Sequence, residues 1–110
     1  MNKYTELSDF EINKAVFHKA KIKHKYFRFL PNGVITYNIK GKYQVFDPCN
    51  NPADAMPIII ENKIGLSPMY YSNEWTADCL DYDFISVNKN PLRAAMELFL
   101  MMKDAENEKV

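Results

Sequence analysis

The sequence has 110 residues, 47% of them hydrophobic and 14% aromatic, with only three Gly and six Pro; this is enough for one apolar core, too short for two, and excludes a disordered or low-complexity chain. A formal net charge of zero excludes the strong overall basicity of many nucleic-acid binders, yet residues 1–47 carry nine Lys/Arg against four Asp/Glu while residues 48–110 carry five against ten. No apolar run reaches the roughly 18 residues of a membrane span and "MNKYTELSDFEINK" lacks a signal-peptide core, so the expected place is the cytoplasm, with no membrane partner and with Cys49 and Cys79 as free thiols.

The first predicted element is a helix opening at Ser8. Ser8 and Glu11 have capping-box spacing, and Leu7 and Ile12 stand where a hydrophobic staple closes. Ile12, Ala15, Val16 and Ala20 then recur at helical spacing, leaving Asn13, Lys14 and Lys21 on the outside. From "HKYFRFL" the period changes. Turns at Pro31–Gly33 and Lys40–Lys42 cut the following stretch into three antiparallel strands, with Ile35, Tyr37 and Ile39 on a covered face. "NNPADAMPIIIENKIG" reads as a second helix with Asn51 as cap, Pro52 at its first position and Gly65 as its stop; Pro57 either bends it or splits off a turn at 52–55. One or two strands follow around 66–71 and 75–80. Asn90 caps a last helix over 91–105, and residues 106–110 are expected to fray.

These elements predict a single α+β domain over residues 1–110, with a mainly antiparallel sheet of four to five strands packed with three helices. The expected core includes Ile12, Val16, Ile35, Tyr37, Ile59, Leu92, Met96 and Phe99.

The stretches "YTELSDFEINKAV", "CNNPADAMPIIIENKI" and "NPLRAAMELFLMM" together resemble the NinX-like family of lambdoid phages and prophages, departing from it at Met56, where the resemblance implies Trp. It implies a phage or prophage origin and a bacterial cytoplasm, and carries over no catalytic residue. Trp75 ahead of the "NPLRAA" helix also resembles small phage domains described as alpha-beta-alpha sandwiches, which implies helices on both faces of the sheet.

Three segments carry chemistry. In "FHKAKIKHKYFRF", Lys19, Lys21, Lys23, Lys25 and Arg28 interleave with Tyr26, Phe27 and Phe29. That combination suits phosphates and unpaired bases, or an anionic protein partner, and equally a solvated helix end leading into a core strand. In "EWTADCLDYD", Glu74, Asp78, Asp81 and Asp83 form an acidic segment; Asp81 and Asp83 alternate as on one strand face, which suits a divalent ion, a partner's basic surface or, most simply, a guarded sheet edge. At the last helix, Asn90 and Arg93 stand where a helix start attracts anions. His18, His24, Cys49 and Cys79 lack zinc-site spacing, Gly33, Gly41 and Gly65 stand singly, and no motif marks a nucleophile. The expectation is a non-enzymatic phage accessory protein with no metal or cofactor, which binds a host or phage protein, nucleic acid or a second copy of itself. A counter-defence inhibitor and a nucleic-acid-binding factor of phage replication, recombination or transcription are the alternatives.

Overall fold

Ser8 starts helix α1 (Asp9–Lys19) as its spacing requires. Its hydroxyl accepts the Glu11 N–H at 3.1 Å, and the Glu11 carboxylate accepts the Ser8 N–H at 3.2 Å, so two helix-start donors are satisfied reciprocally. The computed structural model describes residues 3–20 and 27–108. Ile12 and Val16 are fully buried, as expected, but so is Asn13, which the periodicity places outside. Asn13 is buried because its amide has partners waiting in a distant loop.

The first sheet is a meander of β1 (Phe27–Phe29), β2 (Ile35–Ile39) and β3 (Lys42–Phe46), in the order β1-β2-β3 and antiparallel throughout. Both expected turns are present. Lys40 and Gly41 both have positive φ at the β2–β3 connection, as a tight hairpin twisted with its strands demands. Ile35 and Tyr37 are buried, but Ile39 is 37% exposed, because it sits beside the hairpin end, beyond the cover of the helices.

Helix α2 (Pro52–Glu61) runs unbroken through Pro57, so no separate turn forms at 52–55. Its stop is not Gly65. Lys63 takes the left-handed conformation, the Ile64 N–H reaches the Ile59 carbonyl at 3.0 Å, and the Lys63 N–H reaches that of Ile60 at 3.2 Å. This closes the helix in a Schellman pattern with Ile64 as the buried apolar anchor. Gly65 instead opens the next strand, where a Cβ would stand 2.4 Å from the Asp78 carboxylate.

The second sheet is another antiparallel meander, β4 (Gly65–Pro68), β5 (Trp75–Asp78) and β6 (Ser86–Asn88). The last of these is three residues long, too short to show a period. A single sheet of four to five strands is therefore not what forms: two three-stranded sheets share the strands. The chain leaves β3 through the Asp47–Asn51 loop into α2, so β3 and β4 never pair.

Helix α3 (Pro91–Glu108) lies against the second sheet, with α1 and α2 packed on α3. Phe17 of α1 meets Phe27, Phe29 and Phe46 edge-to-face at 4.2–6.0 Å, and Tyr37 of β2 bonds Asp54 of α2. The helices thus separate the sheets, the reverse of the expected alpha-beta-alpha layering. Residues 93–100 of α3 are all buried, as befits a central helix covered on every side. Of the expected core, only Leu92 is merely half-buried. The helix also continues past the expected end at 105 to Glu108. Lys3 pairs with Asp104 at 3.1 Å and the Tyr4 hydroxyl donates to the same carboxylate, tying those turns to the N-terminal segment.

Candidate functional site

The loop Asp47–Asn51 is where the polar side chains converge. From α1, the Asn13 amide donates to Asp47 at 2.8 Å and its oxygen accepts the Cys49 N–H at 3.2 Å. From α2, Asp54 accepts the Asp47 N–H at 2.9 Å and the Tyr37 hydroxyl at 3.0 Å. Asn50 donates to Asp9 and to Asp47, and from α3 the Asn90 amide donates to the Cys49 carbonyl at 2.5 Å and to Asn50 at 3.2 Å. One loop therefore joins three helices and the first sheet.

Both Asn-Pro starts act as caps. Asn51 accepts the Ala53 N–H at 3.0 Å, and Asn90 accepts those of Leu92 and Arg93 at 3.0 and 3.4 Å. Arg93, however, does not face an external anion. It is 6% exposed; its Nε donates to the wholly buried Glu97 at 2.7 Å, one terminal nitrogen to Asp9 at 2.6 Å, and the other to the Tyr4 and Leu7 carbonyls at 3.0 and 2.7 Å. Burial opposes the charge of Arg93, but the bonds to Asp9 and Glu97 hold it more firmly than usual. Burial likewise opposes the charge of Asp9, yet bonds from Asn50 and Arg93 keep its carboxyl below the ordinary range. The Asn90–Arg93 pair is thus a clamp between α3 and the N-terminal segment. Cys49 lies at its centre, and burial, with the Asp9 carboxylate beside it, pushes its thiol up and away from the reactive thiolate.

The charged segments lie elsewhere. Lys19 is exposed at the end of α1 and Arg28 on β1; Lys21, Lys23, Lys25, His24 and Tyr26 lie outside the described residues. Phe27 packs on Phe17, while Phe29 stacks on His18 at 5.7 Å and stays 49% exposed. Asp81 and Asp83 do not share a strand face: both lie exposed in the β5–β6 loop, between which Tyr82 stacks on Phe84 at 5.0 Å. Asp78 ends β5 and Glu74 precedes it. A cavity of about 550 Å³ between α1, α2 and α3 is lined by His18, Lys19, Glu61, Phe99, Lys103 and Glu106 among others, and its mixed charges favour no one ligand. Among the described residues, no three His, Cys, Asp or Glu side chains converge as metal ligands would, and no helix is long and apolar enough to cross a membrane.

Sequence reasoning missed the most exposed aromatics. Tyr70 and Tyr71 stand 90% and 94% exposed on the β4–β5 hairpin, edge-to-face at 4.6 Å, and Leu80 is 83% exposed in the next loop. The available signal was "MYYSNE" itself, a Tyr pair running into turn-forming Ser-Asn.

The family model described as Bacteriophage P22, NinX matches residues 3–103. No curated protein matches the chain. With nearly its whole length matched, the chain belongs to the NinX family of bacteriophage proteins.

Proposed function

We propose that this phage accessory protein acts by binding rather than by catalysis, and that it docks on a host or phage protein through the β4–β5 hairpin tip of its second sheet. The observation that carries this reading is the Tyr70–Tyr71 pair. The tip is closed by the Met69 N–H to the Glu74 carbonyl at 3.0 Å, and by the Glu74 N–H to the Ser72 hydroxyl at 3.2 Å, so both rings are held out on an ordered turn. Tyrosine brings large contact area at little conformational cost and is enriched among residues that dominate interface energetics.

Charge points to the kind of partner. Residues 65–88 hold Glu74, Asp78, Asp81 and Asp83 and no Lys or Arg, which complements a basic protein surface. The buried, protonated Cys49 and the polar loop committed to joining helices support a role without catalysis. The cytoplasm of the infected cell is the compartment this reading requires. A partner from a host defence complex would make the protein a counter-defence inhibitor; one from the phage's own replication, recombination or transcription apparatus would make it a factor of that apparatus.

Affinity capture from infected cells, run in parallel with wild type and a Tyr70→Ala/Tyr71→Ala variant, tests the reading. One partner should be held at defined stoichiometry by the wild type and lost from the variant at equal fold stability. Equal retention by both proteins overturns the tip as the docking site.

A further inference from the structure

The two sheets carry opposite charge. Residues 27–46, which contain the whole first sheet, hold Arg28, Lys40 and Lys42 and not one Asp or Glu. The strand register sorts their side chains. Arg28 pairs with Thr36 and Thr36 with Val45, while Asn38 pairs with Tyr43, so these five residues share one face. The other face holds Ile35, Tyr37 and Phe46, all buried toward the helices. On the outer face Tyr43 is 60% and Val45 51% exposed, and the Arg28 guanidinium lies over the Tyr43 ring, 5.7 Å from its centroid.

We propose that this outer face binds single-stranded nucleic acid. Tyr43, backed by Arg28, offers a ring on which an unstacked base can lie; Arg28, with Lys40 at the hairpin turn, meets the phosphates, while Lys42, paired with Ile39, belongs to the other face; Thr36 and Asn38 border the ring with groups able to bond a base edge. Charge selects a polyanion, since no carboxylate within 27–46 opposes it. The aromatic selects an unpaired strand, because a duplex keeps its base faces stacked on one another and out of reach of a side-chain ring. Of the carboxylates beside this sheet, Asp47 follows β3 and is bonded by Asn13 and Asn50, and Asp54 lies on the opposite side, where it accepts the Tyr37 hydroxyl and the Asp47 N–H. This inference stands independently of the hairpin-tip reading, which uses the other sheet.

Fluorescence anisotropy with a labelled oligothymidine of about 15 nucleotides, against a duplex of the same length, tests it, the site sizes of such platforms being roughly 4–16 nucleotides. The wild type should prefer the single strand, with log affinity falling against log salt at a slope of about −1.4, as expected for two neutralised phosphates. Tyr43→Ala should weaken binding about tenfold or more and Tyr43→Phe should retain it, since stacking needs the ring and not the hydroxyl. Lys40→Ala should weaken binding and flatten the salt slope, whereas Lys42→Ala, on the other face, should change neither. Equal affinity for duplex, an unchanged affinity in Tyr43→Ala, or no binding at low salt overturns the proposal. So does a concentration-dependent dimer that Tyr43→Ala dissolves while oligonucleotide has no effect, which would assign the face to a second copy.

Discussion

The Asp47–Asn51 loop with its Arg93 clamp and the rim of the two sheets differ in a way that inverts the usual distribution of chemistry. At the loop, Asn13, Arg93 and Glu97 are buried and bonded to one another's neighbours, drawing α1, α2, α3 and β2 together. At the rim, Tyr43, Tyr70, Tyr71 and Leu80 stand in water. Residues that look reactive in the chain, the Asn-Pro starts, the cysteine and the arginine, hold the fold, whereas the unremarkable aromatics of the rim are left exposed. The first half of this division is expected of a small domain, since a buried charge is tolerated only when it is paired and hydrogen-bonded.

The comparison breaks first at Arg93. Replacing it with Leu removes the cation bonded to Glu97, whose side chain is 0% exposed, and should cost about 3–5 kcal/mol in a urea titration followed by circular dichroism. The Arg93→Leu/Glu97→Leu double variant should recover much of that, because the buried negative charge goes too. A cost below about 1 kcal/mol for the single change would mean that the clamp contributes little, and the loop would lose its structural assignment.

The two caps sharpen the comparison at smaller scale. Asn→Ala at either 51 or 90 should cost roughly 0.5–2 kcal/mol. Ser supplies the capping oxygen at both; at 51 it loses only a long 3.3 Å amide bond to Asp54, a carboxylate that keeps the Asp47 N–H and the Tyr37 hydroxyl, so Asn51→Ser should cost less than about 0.5 kcal/mol. Asn90→Ser loses in addition the amide donor to the Cys49 carbonyl and should cost about 1 kcal/mol more. Equal tolerance at both sites would reduce Asn90 to an ordinary cap.

Acidification gives a weaker, graded effect. The carboxyls of Asp9 and Asp104 titrate below their ordinary 3.8, in spite of burial, because Asn50 and Arg93 bond the first and Tyr4 and Lys3 the second. Between the folded and unfolded values the unfolded chain binds more protons, so the stability these groups add is present above about pH 4 and is lost as pH falls through the folded values. Asp9→Asn should flatten part of that acid limb in thermal melts taken from pH 6 down to pH 2.5, while melting near pH 7 falls only modestly, since the Asp9 side chain is 42% exposed. An acid limb unchanged in the variant removes Asp9 from the clamp's electrostatics.

What the sequence made legible was local. Capping boxes, Asn-Pro starts and hairpin turns each lie within four residues, and each appears where the spacing places it. What escaped was long-range. Nothing near Asn13 announces that Cys49 and Asp47 lie against it, and Arg93 meets carbonyls 86 and 89 positions upstream. The split into two sheets escaped for the same reason: the decision not to pair β3 with β4 is made by where α2 packs. The acidic segment was found but misplaced, because Tyr82 and Phe84 stack on each other in a loop instead of alternating in a strand.

The smallest stability effect belongs to the hairpin tip, and there a null result in one measurement is needed for the other to count. Tyr70 and Tyr71 touch each other more than they touch the core, so Tyr70→Ala/Tyr71→Ala should shift unfolding by no more than about 0.5 kcal/mol. Loss of a captured partner at that unchanged stability would separate recognition from folding, as the comparison of loop and rim requires. Tyr→Phe at both positions refines the claim: rings that dock by contact area keep the partner, whereas hydroxyls that reach a buried acceptor lose it. If the double Ala variant instead destabilises the fold by more than about 2 kcal/mol, the tyrosines are structural after all, and the division between a polar interior that holds and an aromatic rim that binds fails at its clearest point.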